Sequence, residues 1–302
     1  MKHVAVPYDS DECFLDLTVP RVRAALDEGR RVLVITGAAK LAHLREALGR
    51  EAEYIDSRVP ASWYDHPYRM LAAYHEYTRG RRTLVIGEPS WTGRSGRQVR
   101  ELIRSDSVIN AALRATAVIM LCLYDLRRVP ESVLHYGPVN HPVLLGSDGE
   151  MTSNRFVEPH ELVLHDDRAP LPEPPGDAGT FRFTARELKK LRRHVGDYAG
   201  SAGMDRNLIT SLVISVSEIA ANSVEHGAGH GTITMWTGDG ELVCEIADPG
   251  GALDDPLPGY IPPEPESPRG YGLWISRQLC DLVELRAEDG LLRVRLHLSM
   301  RT

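Results

Sequence analysis

Two kinds of apolar spacing alternate along the first half of the chain. Residues 3–7, 31–36, 83–87 and 117–124 are short, nearly continuous apolar runs that predict buried strands. Between them, residues 19–28, 39–48, 68–78 and 97–113 return to apolar positions every three or four residues, which predicts helices. Strands alternating with helices build a three-layer α/β domain around a largely parallel sheet. The pattern then stops. Residues 166–180 read DDRAPLPEPPGDAGT, where prolines and glycines disfavour regular structure, and they predict a linker between a first domain, 1–165, and a second, 181–302.

Beyond the linker the order of elements changes. Thr184-Ala185-Arg186-Glu187 is a capping-box sequence, in which hydroxyl and carboxylate satisfy exposed backbone N–H groups, and Leu188, Leu191 and Val195 continue it as a helical apolar stripe. A second helix is predicted over 205–225, followed by strands at 231–237 and 241–247 around the tight turn Gly238-Asp239-Gly240. A proline-rich loop covers 249–269. A short helix at 273–279 and strands at 282–287 and 291–298, joined by Glu288-Asp289-Gly290, complete the domain. Helices on one face of a mixed sheet, a two-layer α/β sandwich, is the expected architecture.

Composition narrows the function classes. A length of 302 residues suits two domains, and 42% hydrophobic with 25% charged residues is the balance of a globular chain. The net charge of -7 is spread along the sequence with no basic patch, so direct nucleic-acid binding is not expected. No apolar run approaches the roughly 20 residues of a membrane span, and no signal-peptide pattern opens the chain, which predicts a cytoplasmic protein without membrane contact. Cys13, Cys122, Cys244 and Cys280 lie far apart without CxxC spacing and read as buried reduced thiols, not as metal ligands.

Chemistry concentrates in the second domain. Glu218, Asn222 and His226 are spaced four apart, drifting only about 80° around a helix, so they can line one wall of a cleft beside the apolar face of Leu212, Val216, Ile219 and Ala220. Asp248-Pro249-Gly250-Gly251 places a carboxylate where an apolar strand opens into a loop, positioned to accept a hydrogen bond from an exocyclic amine. Arg269-Gly270-Tyr271-Gly272-Leu273 allows close backbone approach to a ligand and exposes helix-start N–H groups to phosphate. Each has an ordinary alternative: a solvated helix glutamate, a helix terminus at His226-Gly227, a turn-initiating aspartate. Their order, each on the fitting kind of element, is what favours a site.

These motifs carry a resemblance. EIAANSVEHG at 218–227 resembles the N box of the GHKL ATPase superfamily, DPG at 248–250 its adenine-binding DxG motif, and RGYGL at 269–273 its phosphate-lid motif. Within that superfamily, about residues 181–300 are similar to anti-sigma factors with serine kinase activity, the RsbW and SpoIIAB type. The resemblance implies a GHKL (Bergerat) sandwich with ATP and Mg²⁺ as cofactors. Asn222 would coordinate Mg²⁺ and Glu218 would be the general base. Asp248 would read adenine, Gly250, Gly270, Gly272 and Leu273 would shape pocket and lid, and His226 would lie near the phosphates. One departure stands out: the family usually has a Gly-Thr or Thr-Thr step entering its last strand, where this chain has Leu291-Leu292-Arg293.

The first domain, from His3 to about Glu158, resembles the MEDS or DcmR-type sensory domain. The similarity rests on Tyr8 and Asp9, EGRRVLVIT at 28–36, the stretch Asp106-Ser107-Val108-Ile109-Asn110, LCLYD at 121–125, His141-Pro142 and NRFVEP at 154–159. Asp106 stands where a glutamate is usual, keeping the charge on a shorter arm. The implied shape is RecA/Rossmann-like, yet Gly37-Ala38-Ala39-Lys40-Leu41 lacks the P-loop pattern, so no nucleotide chemistry is expected there. Tyr8, Asp9, His66, Trp91, Asp125, His135 and His141 are candidates for a ligand pocket at the strand ends, where open parallel sheets place ligands.

The two resemblances together imply an RsbA-like anti-sigma regulator of a partner-switching pathway. It would sequester a sigma factor and phosphorylate a serine of a STAS-type anti-anti-sigma antagonist, biased by a small-molecule signal at the first domain; homodimerisation is left open. The alternative is a nucleotide-binding interaction module with weak or lost kinase activity. A sensor histidine kinase is disfavoured, because no phosphoacceptor helix precedes 181 and His194 lies within the first helix of the domain itself.

Overall fold

The computed structural model describes residues 1–300 except 147–148, 167–168, 254, 256, 264–269 and 289. Arg269 of the glycine motif, Asp289 of the last predicted turn, and Asp167 and Arg168 of the predicted linker lie outside the described residues. The chain divides into two compact units, Met1–Leu162 and Val163–Thr302.

The first unit runs β1 (Lys2–Tyr8), α1 (Asp11–Asp27), β2 (Arg31–Ile35), α2 (Ala38–Leu48), β3 (Ile55–Arg58), α3 (Pro60–Trp63), α4 (Pro67–Thr78) and β4 (Thr83–Gly87). It continues with α5 (Gly96–Ala112), β5 (Val118–Asp125), α6 (Glu131–Leu134), α7 (Gly137–Asn140), β6 (Val143–Gly146), β7 (Gly149–Thr152) and α8 (Pro159–Asp166), the last of which runs past the unit boundary. The strands form a seven-stranded sheet in the order β3-β2-β4-β5-β1-β6-β7. Every pair is parallel except the β6–β7 hairpin, which makes the sheet mixed. Val4, Val6 and Tyr8 share a core with Phe14 and Val22 of α1 and Leu41 and Leu44 of α2. The opposite face of β1 and β5 turns His3 and Cys122 toward Asn110 and Asp106 of α5.

Helix α1 begins at Asp11, well before the predicted start at residue 19. Ser10 caps it, its hydroxyl accepting the Cys13 N–H at 3.1 Å, Asp11 and Glu12 complement the first turn, and Phe14, Thr18, Val22 and Ala25 form its buried stripe. The predicted start at residue 19 puts Pro20 in the first turn, where proline is tolerated, whereas the helix holds it in its interior. Strands β3, β6 and β7 were not predicted. Each is four residues long, and none is an uninterrupted buried run.

The second unit contains β8 (Gly179–Thr184), a single 3₁₀ turn, α9 (Leu188–Ser201), α10 (Arg206–Glu225), β9 (His230–Gly238), β10 (Glu241–Pro249), α11 (Tyr271–Leu279), β11 (Leu282–Glu288) and β12 (Leu291–Ser299). Its five-stranded sheet has the order β11-β12-β10-β9-β8. All its pairs are antiparallel, which corrects the expected mixed sheet: β9–β10 and β11–β12 are hairpins, and β8 and β12 add to the first of them antiparallel as well. At the predicted turn Asp239 and Gly240 take φ of 53° and 78°, the left-handed pair that matches hairpin twist. The capping box forms as expected, with the Arg186 N–H reaching the Thr184 hydroxyl at 3.3 Å and the Thr184 N–H reaching Glu187 at 3.1 Å.

The Pro/Gly-rich stretch is not free of structure. Its last residues, Gly179 and Thr180, already belong to β8, and Asp166 closes α8. The carbonyls of Ala169 and Pro172 accept from Arg286 and Arg295, each at 2.7 Å, and Leu171 is buried. Proline donates nothing to a sheet, but these carbonyls remain acceptors, so the segment is strapped to β11 and β12 by side chains.

Helix α10, 20 residues with a mean hydropathy of 1.3 in its most apolar stretch, is long and apolar enough to cross a membrane by composition alone. Ser211, Ser215, Ser217, Glu218 and Asn222 interrupt it, so no continuous apolar run of that length stands in the sequence. In the fold it is a core helix, its Leu212, Val216, Ile219 and Ala220 packed with Ile233, Ile246 and Leu296 of the sheet.

Candidate functional site

Burial of the Leu212–Val216–Ile219–Ala220 stripe fixes the rotation of α10 and leaves its C-terminal half bordering a cleft. Glu218 is half-buried there, whereas Asn222 is exposed. Against them lies the first turn of α11. Gly270 sits at the N-cap with φ of 95°, a left-handed conformation that favours glycine, and delivers Gly272 onto α10. A Cβ on Gly272 would meet Asn222 Nδ2 at 3.1 Å and Glu218 Oε2 at 3.2 Å. Glycine is what lets the backbone approach both polar groups.

Asp248 marks the other end. It is buried at the end of β10 and accepts the Ala228 N–H at 3.1 Å through Oδ1, so its position is set by the loop that follows α10. Gly227 and Gly251 both face its carboxylate; a side chain at Gly227 would fall on the Asp248 oxygens, and one at Gly251 would come within 2.6 Å of Leu292 Cβ. Gly250 takes φ of 133° over Ala228. These neighbours enclose a pocket of about 160 Å³ lined by Asn222, His226, Asp248, Leu253, Leu273 and Leu292. A continuation of about 240 Å³ runs between Asn222, Gly259, Gly270, Gly272 and Leu273, where α11 begins.

All of the predicted residues except Gly250, which packs over Ala228 and lines neither pocket, line or face this cleft. Asp248, Asn222 and His226 line the inner pocket, Gly270, Gly272 and Leu273 its mouth, and Glu218 faces Gly272 from α10. His226 is the C-cap of α10 with a side chain about half exposed, 4.0 Å from Glu225, at the rim. Pairing of Asp248 with Leu292 across β10 and β12 puts an apolar side chain in the wall beside the carboxylate, where the resemblance leads one to expect a hydroxyl.

Such a cleft fits a nucleotide. A buried acceptor at one end can take an amino group, apolar walls can flank a base, and the start of α11 is a helix N-terminus, the end of a helix that favours phosphate. Asn222, exposed and with its side-chain amide beside that helix start, is the residue that could hold a magnesium ion accompanying the phosphates. When bound, that ion would offset phosphate charge.

The first unit has a second concavity, a cleft of about 570 Å³ at the carboxyl ends of its parallel strands. Lys40, in the first turn of α2, lies at its base. Its ammonium bonds to the Tyr8 hydroxyl, to Glu88 and, at 2.9 Å, to Asp125. Burial opposes charge on Asp125, but hydrogen bonds from Arg127 and Lys40 outweigh it and hold the carboxyl well below the usual range. Trp91 and Arg127 complete the walls.

Of the seven residues expected at the strand ends, Trp91 and Asp125 line this cleft and Tyr8 supports its floor. The others do not gather there. Asp9 is exposed, His66 caps α4, His135 is bonded to Arg155 at 3.0 Å, and His141 lies in a separate buried cluster. Sequence reading missed Lys40 and Glu88. Lys40 stands in a stretch that fails the P-loop pattern, and the signal that could have found it is its place directly after a strand end.

Comparison with known proteins accords with this division. Residues 2–142 match the family model of MEDS, the methanogen/methylotroph DcmR sensory domain, and residues 181–298 match that of the histidine kinase-like ATPase domain. No curated protein is significantly similar to the chain. Among solved structures, the RsbU and RsbW domains of Rv1364c from Mycobacterium tuberculosis are similar at 16% identity, over 43% of this chain and 32% of that one, with a TM-score of 0.30. The chain thus spans about a third of that structure's length.

Proposed function

We propose that this chain, a MEDS sensory domain followed by a histidine kinase-like ATPase domain, is an anti-sigma regulator that works by partner switching. Its second domain binds Mg·ATP, holds a sigma factor, and phosphorylates a serine of a STAS-type antagonist. The observation that carries this reading is the approach of Gly272 to Asn222 and Glu218 at one end of a cleft whose other end is Asp248. Glu218 faces Gly272 at the start of α11, and Asp255 is the acidic residue among the described ones that line the neighbouring pocket. The Glu218 carboxylate can take the proton of an incoming serine hydroxyl while Asn222 and the helix start hold the phosphates.

The first domain supplies the bias. A ligand seated against Lys40, Asp125, Arg127 and Trp91 changes the regulator's output only if it binds two states of the protein unequally.

A second reading keeps nucleotide binding and drops turnover. Leu292 beside Asp248 favours it, because an apolar wall gives no hydrogen bond to the base or its bound water. Incubation with γ-labelled ATP, Mg²⁺ and the STAS-type antagonist separates the two. Transfer to the antagonist that Glu218→Ala abolishes while leaving ATP binding intact supports the kinase. ATP binding without transfer in the wild-type chain leaves the interaction module as the function.

A further inference from the structure

Four chemistry-bearing side chains meet inside the first unit, away from the cleft at its strand ends. His3 and Cys122 lie on β1 and β5, which pair in parallel with Ala5 opposite Cys122, so both project from the same face of the sheet. Asp106 and Asn110 come from α5, one helical turn apart, and His141 from the residue after α7. His3 Nε2 is 3.1 Å from Cys122 Sγ and 3.6 Å from Asp106 Oδ1, Cys122 Sγ is 3.6 Å from the same oxygen, and His141 Nε2 is 3.7 Å from Asp106 Oδ2. One ligand atom from each residue can be chosen so that all lie within 4.8 Å of one another.

We propose that His3, Asp106, Cys122 and His141 bind one divalent transition-metal ion of the zinc type. The spacing suits it. Bond lengths of about 2.0 Å to nitrogen and oxygen and 2.3 Å to sulfur, at tetrahedral angles, put neighbouring ligand atoms about 3.3–3.6 Å apart. Imidazole, thiolate and carboxylate are also the donor set such an ion takes.

Orientation of the imidazoles points the same way. His141 Nδ1 donates to the Gly137 carbonyl at 2.9 Å, which leaves Nε2 as a lone pair; that atom is buried, has no hydrogen-bond partner and faces the cluster. His3 Nδ1 donates to Asn110 Oδ1 at 3.1 Å, and Asn110 is itself held by donating to the Ser107 and Asn140 carbonyls at 2.9 and 2.7 Å. Both rings thus carry the outer hydrogen bond that fixes a metal-binding tautomer. Asn140 Nδ2 orients Asp106 in turn, at 3.1 Å from Oδ2.

Electrostatics accounts for what the ion would change. Burial lowers His3 to about 3 and His141 to about 4 and raises the Cys122 thiol and the Asp106 carboxyl, so without a cation every member is driven toward its neutral form. A dication makes thiolate and carboxylate the favoured states. Four protein ligands close a tetrahedron, which is the arrangement of a structural or sensing ion, and it would pin α5 to the sheet. Asp106, with 14% of its side chain exposed against none for His3 and His141, is the side from which an ion can enter.

The test is titration of the chelator-stripped full-length chain with cobalt(II), followed by absorption. One cobalt per chain, with a thiolate-to-cobalt charge-transfer band and the intense visible bands of a tetrahedral ion, is expected. Cys122→Ser should abolish the charge-transfer band and Cys13→Ser should leave it. Asn110→Leu should keep the band and weaken affinity about 10–100-fold. A wild-type chain that binds no cobalt, or binds it without the band, overturns the site, and so does a band that survives in a folded Cys122→Ser variant. The first reading is taken on the native sequence, so misfolding of a variant does not blunt it.

Discussion

Gly227 lies directly against the carboxylate of Asp248, so close that a side chain at Gly227 would occupy the space of the Asp248 oxygens. The loop leaving α10 and the end of β10 are thereby pressed together at the acceptor that anchors the proposed nucleotide. Gly227→Ala should weaken ATP binding at least tenfold and destabilise the second unit by about 1–3 kcal/mol, the usual cost of overpacking. Gly238→Ala is the control: it meets nothing within 4 Å, and its effect should be small. Calorimetric titration with Mg·ATP and urea denaturation of both variants measure the two quantities.

Leu292 stands opposite Asp248 across β10 and β12. Because it is only partly buried, a shorter polar side chain can replace it without opening a sealed cavity. Leu292→Thr supplies a hydroxyl beside the carboxylate, and one added hydrogen bond of about 1 kcal/mol corresponds to roughly fivefold tighter ATP binding. Weaker binding by the variant would mean that the apolar wall contributes more than a hydroxyl can.

The Lys40 cluster gives a pH dependence with a definite sign. Asp125 is depressed in the fold, so its contribution to stability is complete above the ordinary carboxylate value of about 3.9 and is lost as pH falls toward the folded value. Urea midpoints of the wild type and Asp125→Asn should therefore differ most near neutrality and converge in acid. Lys40→Met leaves Asp125 and Glu88 facing each other without the shared cation and should cost about 3–5 kcal/mol. A midpoint unchanged in Lys40→Met would show that Arg127 alone suffices for Asp125.

How much of this was legible in the sequence depended on whether neighbours in space were neighbours in the chain. Glu218, Asn222 and His226 share one helix, and Asp248 and Gly270 sit at element ends that turn chemistry and glycine announce, so the parts of the second-domain cleft were readable in order. The strands β3, β6 and β7 were too short to show a period, and β8 begins inside a tract whose prolines masked it. His3, Asp106, Cys122 and His141 come from four separate stretches, and only the pairing of β1 with β5 and the packing of α5 bring them together. For the same reason Cys122, read alone, looked like one more buried thiol.

The strap formed by residues 169–173 carries the last prediction. Glu245 is nearly inaccessible on β10 and is held by Arg295 at 2.6 Å and Arg293 at 2.9 Å, while Arg295 also reaches the Pro172 carbonyl at 2.7 Å and lies over the Trp236 ring at 5.0 Å. A buried carboxylate that loses its main cation is an uncompensated charge, costing about 3–5 kcal/mol. Arg295→Ala should reach that range, because Arg293 is more exposed and also faces Glu173 at 3.6 Å. Arg295→Ala combined with Glu245→Gln should recover part of the loss, since the amide no longer needs a counter-charge. If the double variant is as unstable as the single one, the cost lies in releasing the strap from β12 and not in the buried charge; urea denaturation of the two variants beside the wild type makes that distinction.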